Sequence, residues 1–369
     1  MRAPLKIKLH ERLEDVPGEA WSDLLRCCPD STVFQSQAWI SAWTRCCLPA
    51  SARILLFAAY RGDRLVGLAP LWLGRDPDQL EESFRVRFLG VHHSDYSVFP
   101  AEGGSPDIVN ALLDAVDAQS PPGSSIDLAE IPQFSTLGVC LAQRAAHRSG
   151  RIFRTSRTAC PRLRVCGNES GVRRILRKKS VRRNANLLAR LGQVRARHLS
   201  RYTEIQPYLE LFFDQHVRRW ADTPYPSLFT RTHNRHFYCD FVSGLCATGD
   251  IVFTVLDVGD RIVAQHVGLR SAGDLLWYKP TFDISLRRCS PGEVMLRSLV
   301  EFAQEQSLNA IDFTRGAEPF KARFASTVAY NVSYLWARSL RARWSARARR
   351  TGLRLRRALL RSRSSGSMW

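Results

Sequence analysis

The sequence predicts an α/β protein made of two similar halves, each a mixed sheet flanked by helices. One observation is a repeated hairpin tract: residues 62–67 read GDRLVG and residues 259–264 read GDRIVA, each between apolar runs. Another is that each tract is followed, in the same order, by a helix that opens with Ser-Pro and by a short apolar strand. Such repetition at similar spacing indicates one design used twice.

The first half shows these elements in turn. Apolar runs at 53–60 and 65–72 predict the two hairpin strands. A Ser-Pro pair at 105–106 opens a segment whose apolar residues recur at helical spacing. The strand 126–128 follows, and a turn that contains an acid and a proline ends the repeat.

The second half repeats the same order. Its hairpin strands are expected at 251–257 and 262–269, its Ser-Pro helix start at 290–291 and its short strand at 311–313. A proline-free segment, 172–191, has apolar residues at helical spacing among its charges and predicts a helical connector between the halves.

These elements predict three parts of the 369-residue chain. We expect an N-terminal domain over 1–160, a second and catalytic domain over 161–337 with the basic connector 172–197 near its start, and a tail over 338–369. Two domains of ordinary size account for this length.

The net charge of +20 is concentrated in two segments. Residues 173–197 contain ten Lys or Arg and no acid, and residues 338–363 contain eleven Arg and no acid. These cations together exceed the net charge, so the rest of the chain is close to neutral. Such segments attract anionic partners such as nucleic acid, anionic lipid or a phosphorylated substrate.

The tail segment 338–363 has Leu, Trp and Ala at spacings near multiples of 3.6, with arginines on the other faces. This pattern indicates a basic amphipathic anchor on anionic lipid, with nucleic-acid binding and a disordered solubilising tail as alternatives. The chain opens without the apolar core of a signal peptide, and no apolar run is long enough to span a bilayer. We therefore expect a cytoplasmic protein that is peripheral at the inner face of the membrane if the tail is an anchor.

Six motifs, taken in order, carry a resemblance to a known family. They are FQSQAW at 34–39, GLAPL at 67–71, FDQHVRRW at 213–220, WYKPTFD at 277–283, SPG at 290–292 and DFTRGAEPFK at 312–321. In order and spacing they resemble the GNAT-related, CelD-like acetyltransferases associated with cellulose and exopolysaccharide synthesis, close to FemAB-type transferases.

This resemblance implies two tandem GNAT-like domains, each with a mixed, largely antiparallel sheet flanked by helices. It also implies transfer of an acyl group, from acetyl-CoA or another acyl-CoA, to an amine or hydroxyl. It does not fix the acceptor.

The phosphates of an acyl-CoA need a loop that leads into a helix N-terminus. The candidate donor-binding residues are Arg287, Arg288, Ser290, Pro291 and Gly292. Two cations precede the helix, and the glycine permits close approach, although the usual acetyltransferase loop has two glycines. Ser290 and Glu293 also fit a capping box, in which the glutamate would occupy the N–H groups and repel phosphate.

Three residues are candidates for the chemistry itself: Asp283, His216 and Tyr278. Asp283 follows an aromatic strand and is a candidate base or orienting group, although a turn aspartate is common at such a position. His216 is a second candidate base, although a helical histidine is usually structural. Tyr278 is a candidate acid for the departing thiolate, although aromatic strand residues are often core.

The candidate acceptor-binding residues are Arg219, Arg315, Glu318, Lys321, Asp95 and Tyr96. Arg219 shares a helix face with His216 and suits a carboxylate or phosphate. The 315–321 group surrounds a turn after a strand, where sites are common, although a solvated ion-pair cluster is the alternative. Asp95 and Tyr96 would add to an acceptor cleft between domains. The ten cysteines show no zinc-type spacing, so no metal is expected.

Three functions remain open at this point. The first is an acyl-CoA-dependent N- or O-acyltransferase acting on an envelope, polysaccharide or lipid-related acceptor. The second is a FemAB-like transferase that uses aminoacyl-tRNA, for which the basic connector is the main support. The third is a non-catalytic scaffold that binds a membrane or nucleic acid through its basic tail. We expect no nucleic-acid partner apart from tRNA.

Overall fold

A computed structural model describes residues 3–75, 84–147 and 151–338. The strands in these ranges are β1 (Leu5–His10), β2 (Arg53–Arg61), β3 (Arg64–Gly74), β4 (Arg85–Phe88), β5 (Ser125–Pro132), β6 (Ile152–Arg164), β7 (Val194–Leu199), β8 (Ile251–Val258), β9 (Arg261–Ser271), β10 (Asp274–Phe282), β11 (Ala310–Asp312) and β12 (Thr327–Ala337).

The α-helices in the same ranges are α1 (Gly18–Cys27), α2 (Gln37–Cys47), α3 (Pro106–Gln119), α4 (Thr136–His147), α5 (Glu169–Leu176), α6 (Lys179–Ala189), α7 (Tyr202–Trp220), α8 (Thr232–Thr248), α9 (Pro291–Glu305) and α10 (Pro319–Ala322). A 3-10 helix, Ile284–Cys289, joins β10 to α9. None of these described helices is both long enough and apolar enough to cross a membrane.

The chain divides into two compact units. Among the described residues, the first contains those of 3–31, 49–157 and 331–338, and the second contains Thr32–Leu48 and Thr158–Tyr330. The border at Arg157 is close to the expected one at residue 160. Two segments differ from expectation: Thr32–Leu48, expected in the first domain, groups with the second unit, and residues 331–337, expected in the second domain, group with the first unit.

The first unit has the strand order β1-β2-β3-β4-β5-β12. Its strands are antiparallel apart from the β4–β5 pair, which is parallel and is connected through α3. The apolar faces of α3 and of the strands form one core, which includes Leu112, Val116 and Ile126.

The second unit has the strand order β6-β11-β10-β9-β8-β7, and its part of β6, residues 158–164, is antiparallel to β11. Only its β10–β11 pair is parallel, and α9 connects these two strands. The core includes Met295, Leu299 and Ile311. The expected connector helix is two helices, α5 and α6, and β7 then begins at Val194, inside the segment expected to be connector.

The two units repeat one design. Each hairpin, β2–β3 and β8–β9, turns through a glycine with positive φ, 61° at Gly62 and 57° at Gly259. Each unit then places a helix with proline in its first turn between two parallel strands. The prediction of two α/β halves with mixed, largely antiparallel sheets is confirmed. The tail 338–369, for which an anchor, nucleic-acid binding and a disordered tail were the alternatives, lies from residue 339 outside the described residues.

Candidate active site

The sheet of the second unit is irregular at β10. Its register against β9 shifts between Leu276 and Lys279, so that Trp277 and Tyr278 stand opposite a single residue of β9. The parallel pairing with β11 covers only Leu275 and Leu276 among the described strand pairs. A β-bulge changes the direction in which the side chains of a strand point, and it often lies where strand pairing ends.

Lys279 brings a positive charge to this bulge. Its Nζ lies 5.0 Å from the centre of the Tyr278 ring, and its side chain is half-buried. The sequence alone does not identify this residue as a candidate, because a lysine in an aromatic strand has no special meaning until the register of the strand is known. Its position at the bulge makes Lys279 a candidate.

Asp283 lies directly after β10 and caps the 3-10 helix. Its Oδ1 accepts hydrogen bonds from the backbone N–H of Ser285, at 3.0 Å, and from the Ser285 hydroxyl, at 2.8 Å. Its Oδ2 pairs with the guanidinium of Arg261. Burial alone would raise the pKa of Asp283, but the hydrogen bonds from Arg261 and Ser285 lower it overall. The carboxylate is therefore ionised and held in an ion pair.

The N-terminal end of α9 is open. Ser290 has a left-handed backbone, with φ 46° and ψ 59°, and its side chain makes no capping hydrogen bond. A Cβ atom at Gly292 would lie 4.0 Å from the Phe282 ring, the nearest of its described neighbours. The space beside this glycine is therefore open. Arg287 and Arg288 just before the helix are exposed and form no ion pair with any described acid.

Glu293 does not form the capping box that its spacing suggests. Its carboxylate is buried, accepts a hydrogen bond from Asn184 Nδ2 at 3.0 Å and pairs with the guanidinium of Arg323. These partners from α6 and from the end of α10 hold the carboxylate, so it does not bond back to the N-cap. The capping-box alternative is wrong.

His216 is buried in an aromatic cluster. Its side chain contacts the rings of Trp220 and Phe229, and its Nδ1 lies 2.7 Å from the Ser227 hydroxyl. Burial, helped by the nearby charges of Lys279 and Arg219, lowers the pKa of His216 to about 3. The imidazole is therefore neutral, and its contacts hold it in the protein interior.

Tyr278 is also buried, on the face of β10 that packs against α2 and α8. Its ring lies 5.6 Å from Trp39 and 5.7 Å from Phe34, measured between ring centres. Its hydroxyl accepts a hydrogen bond from the Tyr238 hydroxyl at 3.2 Å. This environment is that of a core side chain with a satisfied polar end.

Arg219 holds the end of β10. Its Nη1 donates to the Pro280 carbonyl at 2.8 Å, and its guanidinium lies 4.4 Å from the centre of the Phe282 ring. Burial lowers the pKa of Arg219 to about 10. The residue therefore braces the strand that carries the bulge.

The expected group at 315–321 forms a compact loop after β11. The Lys321 ammonium donates to the Arg315 carbonyl at 2.6 Å and pairs with Glu318 at 3.0 Å. Gly316 has φ 122°, and a Cβ atom there would collide with the Glu318 carboxylate. Lys321 is buried, and its charge stabilises the loop through these two contacts.

Asp95 and Tyr96 belong to the first unit. Both are buried, and the Asp95 carbonyl accepts a hydrogen bond from Asn331 Nδ2 at 2.7 Å. Asp283, His216, Tyr278, Arg219 and the donor loop all lie in the second unit, along or next to β10. The expected part of Asp95 and Tyr96 in binding an acceptor stays a prediction.

A surface cavity of about 330 Å³ lies beside Asp283. Three elements line it: α7 through Leu211, Gln215 and Arg218, the β8–β9 turn, and the start of the 3-10 helix. Its wall contains acids, arginines and apolar side chains. Groups of three or more His, Cys, Asp or Glu arranged to hold a metal ion are absent from the described ranges.

Part of the second unit is similar to a known protein family. Residues 176–322, which contain β10, its bulge and the start of α9, match the family model described as an acetyltransferase (GNAT) domain. No match was found among curated proteins.

Solved structures share the fold at low sequence identity. FemX superposes with a TM-score of 0.63 and 10% identity, over 90% of this chain and 97% of FemX. A conserved protein of unknown function from Bacteroides thetaiotaomicron VPI-5482 gives 0.57 and 11%, over 90% of this chain and 100% of that one. The C-terminal domain (DUF2156) of a candidate lysylphosphatidylglycerol synthetase from Agrobacterium fabrum gives 0.55 and 14%, over 89% and 94%.

The family match indicates one reaction class, acyl transfer. The matched model covers the central part of the second unit, and the similar structures cover most of the chain. Residues 176–322 match a GNAT acetyltransferase domain, and the chain is an acyltransferase.

Proposed function

We propose that the second unit transfers an acyl group from acetyl-CoA or a longer acyl-CoA to an amine or hydroxyl of an envelope, polysaccharide or lipid-related acceptor. The observation that carries this proposal is the open N-terminal end of α9, inside the residues that match the acetyltransferase model. Beside it lie two arginines that pair with no acid of the described ranges. The resemblance of the motifs to CelD-like acetyltransferases supports the acceptor class.

The donor site is the loop that precedes α9. The first N–H groups of the helix and its positive dipole end favour phosphate. Arg287 and Arg288 add charge, and the open side of Gly292 lets a diphosphate approach the backbone. Ser290 and Pro291 shape the entry to the helix. Glu293 is engaged with Asn184 and Arg323 and does not compete for the same N–H groups.

The transfer itself needs one bond to form and one to break. The acceptor's nitrogen or oxygen bonds to the thioester carbonyl carbon, the C–S bond breaks, and the CoA thiolate is released. We assign Lys279 to the carbonyl oxygen, where negative charge develops in the transition state. His216 and Asp283 are held by other partners, so the proton that the acceptor loses passes to solvent and an equivalent proton neutralises the thiolate.

The test is calorimetric binding of acetyl-CoA and of a longer acyl-CoA to the wild-type chain and to Gly292→Trp. The indole should fill the space beside the first turn of α9 and abolish saturable binding. Glu305→Trp is the matched control, because it adds the same side chain at an exposed position at the other end of α9. It should bind as the wild type does.

Arg287→Glu combined with Arg288→Glu supplies a second test of the same loop, and should weaken binding without blocking the site by bulk. Saturable binding that Gly292→Trp leaves unchanged would place the donor elsewhere. No binding of any CoA at millimolar concentration would reject the acyl-CoA proposal and favour a donor such as aminoacyl-tRNA.

A further inference from the structure

A continuous set of cations covers the exposed sides of α5 and α6. We call it the α5–α6 basic surface, and its members are Arg173, Arg174, Arg177, Lys179, Arg182, Arg183 and Arg190. All seven are exposed, and none of them has an ion-pair partner within the part of the chain that the structure describes. Glu169 is the single acid in the two helices.

Many exposed arginines elsewhere in the described protein pair with an acid. Those that pair with an acid include Arg12, Arg26, Arg53, Arg64, Arg201 and Arg261. The α5–α6 basic surface is distinct because it gathers seven such cations on two consecutive helices, without an ion-pair partner among the described residues. Arginine is suited to phosphate, because its planar guanidinium donates two parallel hydrogen bonds.

The cations of this surface are spread along the length of α6. Lys179, Arg183 and Arg190 fall near one line along α6, and the distance from Lys179 to Arg190 is about 16 Å at a rise of 1.5 Å per residue. A groove of about 310 Å³ follows this line, and only side chains of α6 and its C-terminal residue line it. An extended array of phosphates fits such a line better than one small ligand does.

Two exposed leucines favour a membrane over a nucleic acid as the partner of this surface. Leu187 is half-exposed and Leu191 is 58% exposed, four residues apart and next to Arg183 and Arg190. Apolar side chains flanked by cations are what a helix inserts at a lipid surface. Residues 169–191 contain no aromatic side chain on which a base could stack.

We propose that the α5–α6 basic surface docks this protein on an anionic phospholipid membrane. Seven cations lie within the range of four to eight that accompanies recognition of anionic lipid. Docking does not depend on the acyl-transfer proposal, and it assigns membrane contact to the second unit and not to the tail alone. Asn184 and Glu293 fasten α6 to the first turn of α9, so the docked helix adjoins the donor loop.

The experiment is co-sedimentation of the full chain with vesicles at near-physiological ionic strength. One set is pure phosphatidylcholine, and the other contains about 30% phosphatidylglycerol as its anionic lipid. The wild type should bind only the anionic vesicles. Arg182→Glu/Arg183→Glu/Arg190→Glu should weaken that binding at least about a hundredfold, because each cation near the surface accounts for about a fivefold factor.

The matched control is Lys6→Glu/Lys8→Glu/Arg151→Glu, which changes the net charge equally at exposed positions of the first unit. It should keep vesicle binding within a few fold of wild type. A second variant replaces the arginines of residues 339–369 by glutamine and should also keep substantial binding. Acetyl-CoA binding by each variant, measured by calorimetry, reports that the donor site and the fold are intact.

Three results would overturn the proposal. Equal loss of vesicle binding in the α5–α6 variant and its control would mean that binding depends only on the net charge of the protein. Full binding by the α5–α6 variant, with loss in the tail variant, would assign docking to the tail. No vesicle binding by the wild type, with RNA binding that the α5–α6 variant loses, would assign the surface to a nucleic acid.

Discussion

Lys279 is the residue on which the proposed chemistry depends most directly. It stands at the bulge of β10, half-buried beside the Tyr278 ring, and its charge reaches the imidazole of His216. Replacing it by methionine removes the charge and keeps most of the apolar stem. We expect Lys279→Met to lower kcat about a hundredfold or more, since loss of one group that stabilises an oxyanion has that effect.

The readout is release of CoA from an acyl-CoA with an accepted amine or alcohol, with donor affinity measured separately by calorimetry. Lys279→Arg keeps the charge and should retain part of the rate. Donor affinity should stay near wild type in both variants, because the phosphates bind at α9. Equal rates in wild type and Lys279→Met would remove this residue from the mechanism.

At the scale of elements, α2 shows how a distant segment completes the second unit. Trp39 of α2 packs against Phe237 and Phe241 of α8, with ring centres 5.1 and 4.6 Å apart. The helices approach closely at Gly244, where a Cβ atom would lie 3.0 Å from the Cβ of Ala38. This glycine is therefore required by the close approach and not by its backbone angles.

We expect Gly244→Leu to lower the free energy of unfolding by about 1–3 kcal/mol, because extra methylenes cannot enter a packed helix contact without displacing it. Urea denaturation measures the change. Ser243→Leu places the same side chain on the neighbouring, exposed position of α8 and should have a much smaller effect. Equal losses in the two variants would mean that the helix propensity of the new leucine, and not the α2–α8 contact, determines the change in the free energy of unfolding.

The same elements show what local sequence can and cannot predict. The two hairpins and the start of α9 were predictable, because a Gly-Asp turn and a Ser-Pro pair act within a few residues. The grouping of α2 with α8 depends on contacts between residues about 200 positions apart in sequence, and no local pattern contains them. Glu293 has the spacing of a capping box, yet Asn184 and Arg323 hold its carboxylate, so tertiary contacts overrode the local preference.

At the scale of the whole molecule, buried histidines tie stability to pH. His216 and His266 are almost fully buried, and burial, as the main cause, lowers the pKa of each to about 3. His266 stacks on Trp277 at 4.7 Å, and neither of its ring nitrogens has a hydrogen-bond partner among the described residues. Both imidazoles are therefore neutral in the folded protein, while an unfolded chain protonates them near pH 6.5.

The sign of the pH dependence follows from this difference. Below about pH 6.5 the unfolded state binds more protons than the folded state, so the free energy of unfolding falls as the pH falls. Each of the two histidines contributes up to about 1.4 kcal/mol per pH unit until the pH approaches the folded value near 3. We expect urea denaturation to report a loss of about 2–3 kcal/mol per unit from this pair between pH 6 and pH 4.

His266→Phe separates this cause from the titration of the acids. Phenylalanine keeps a flat ring next to Trp277 and removes two nitrogens that have no partner, so the variant should be about as stable as wild type at neutral pH. Its loss of stability on acidification should be smaller by about 1.4 kcal/mol per pH unit. His233→Phe changes an exposed histidine and should leave the slope unchanged. A wild-type slope in His266→Phe would mean that His266 does not remain neutral in the folded chain, and the acid sensitivity would then belong to other groups.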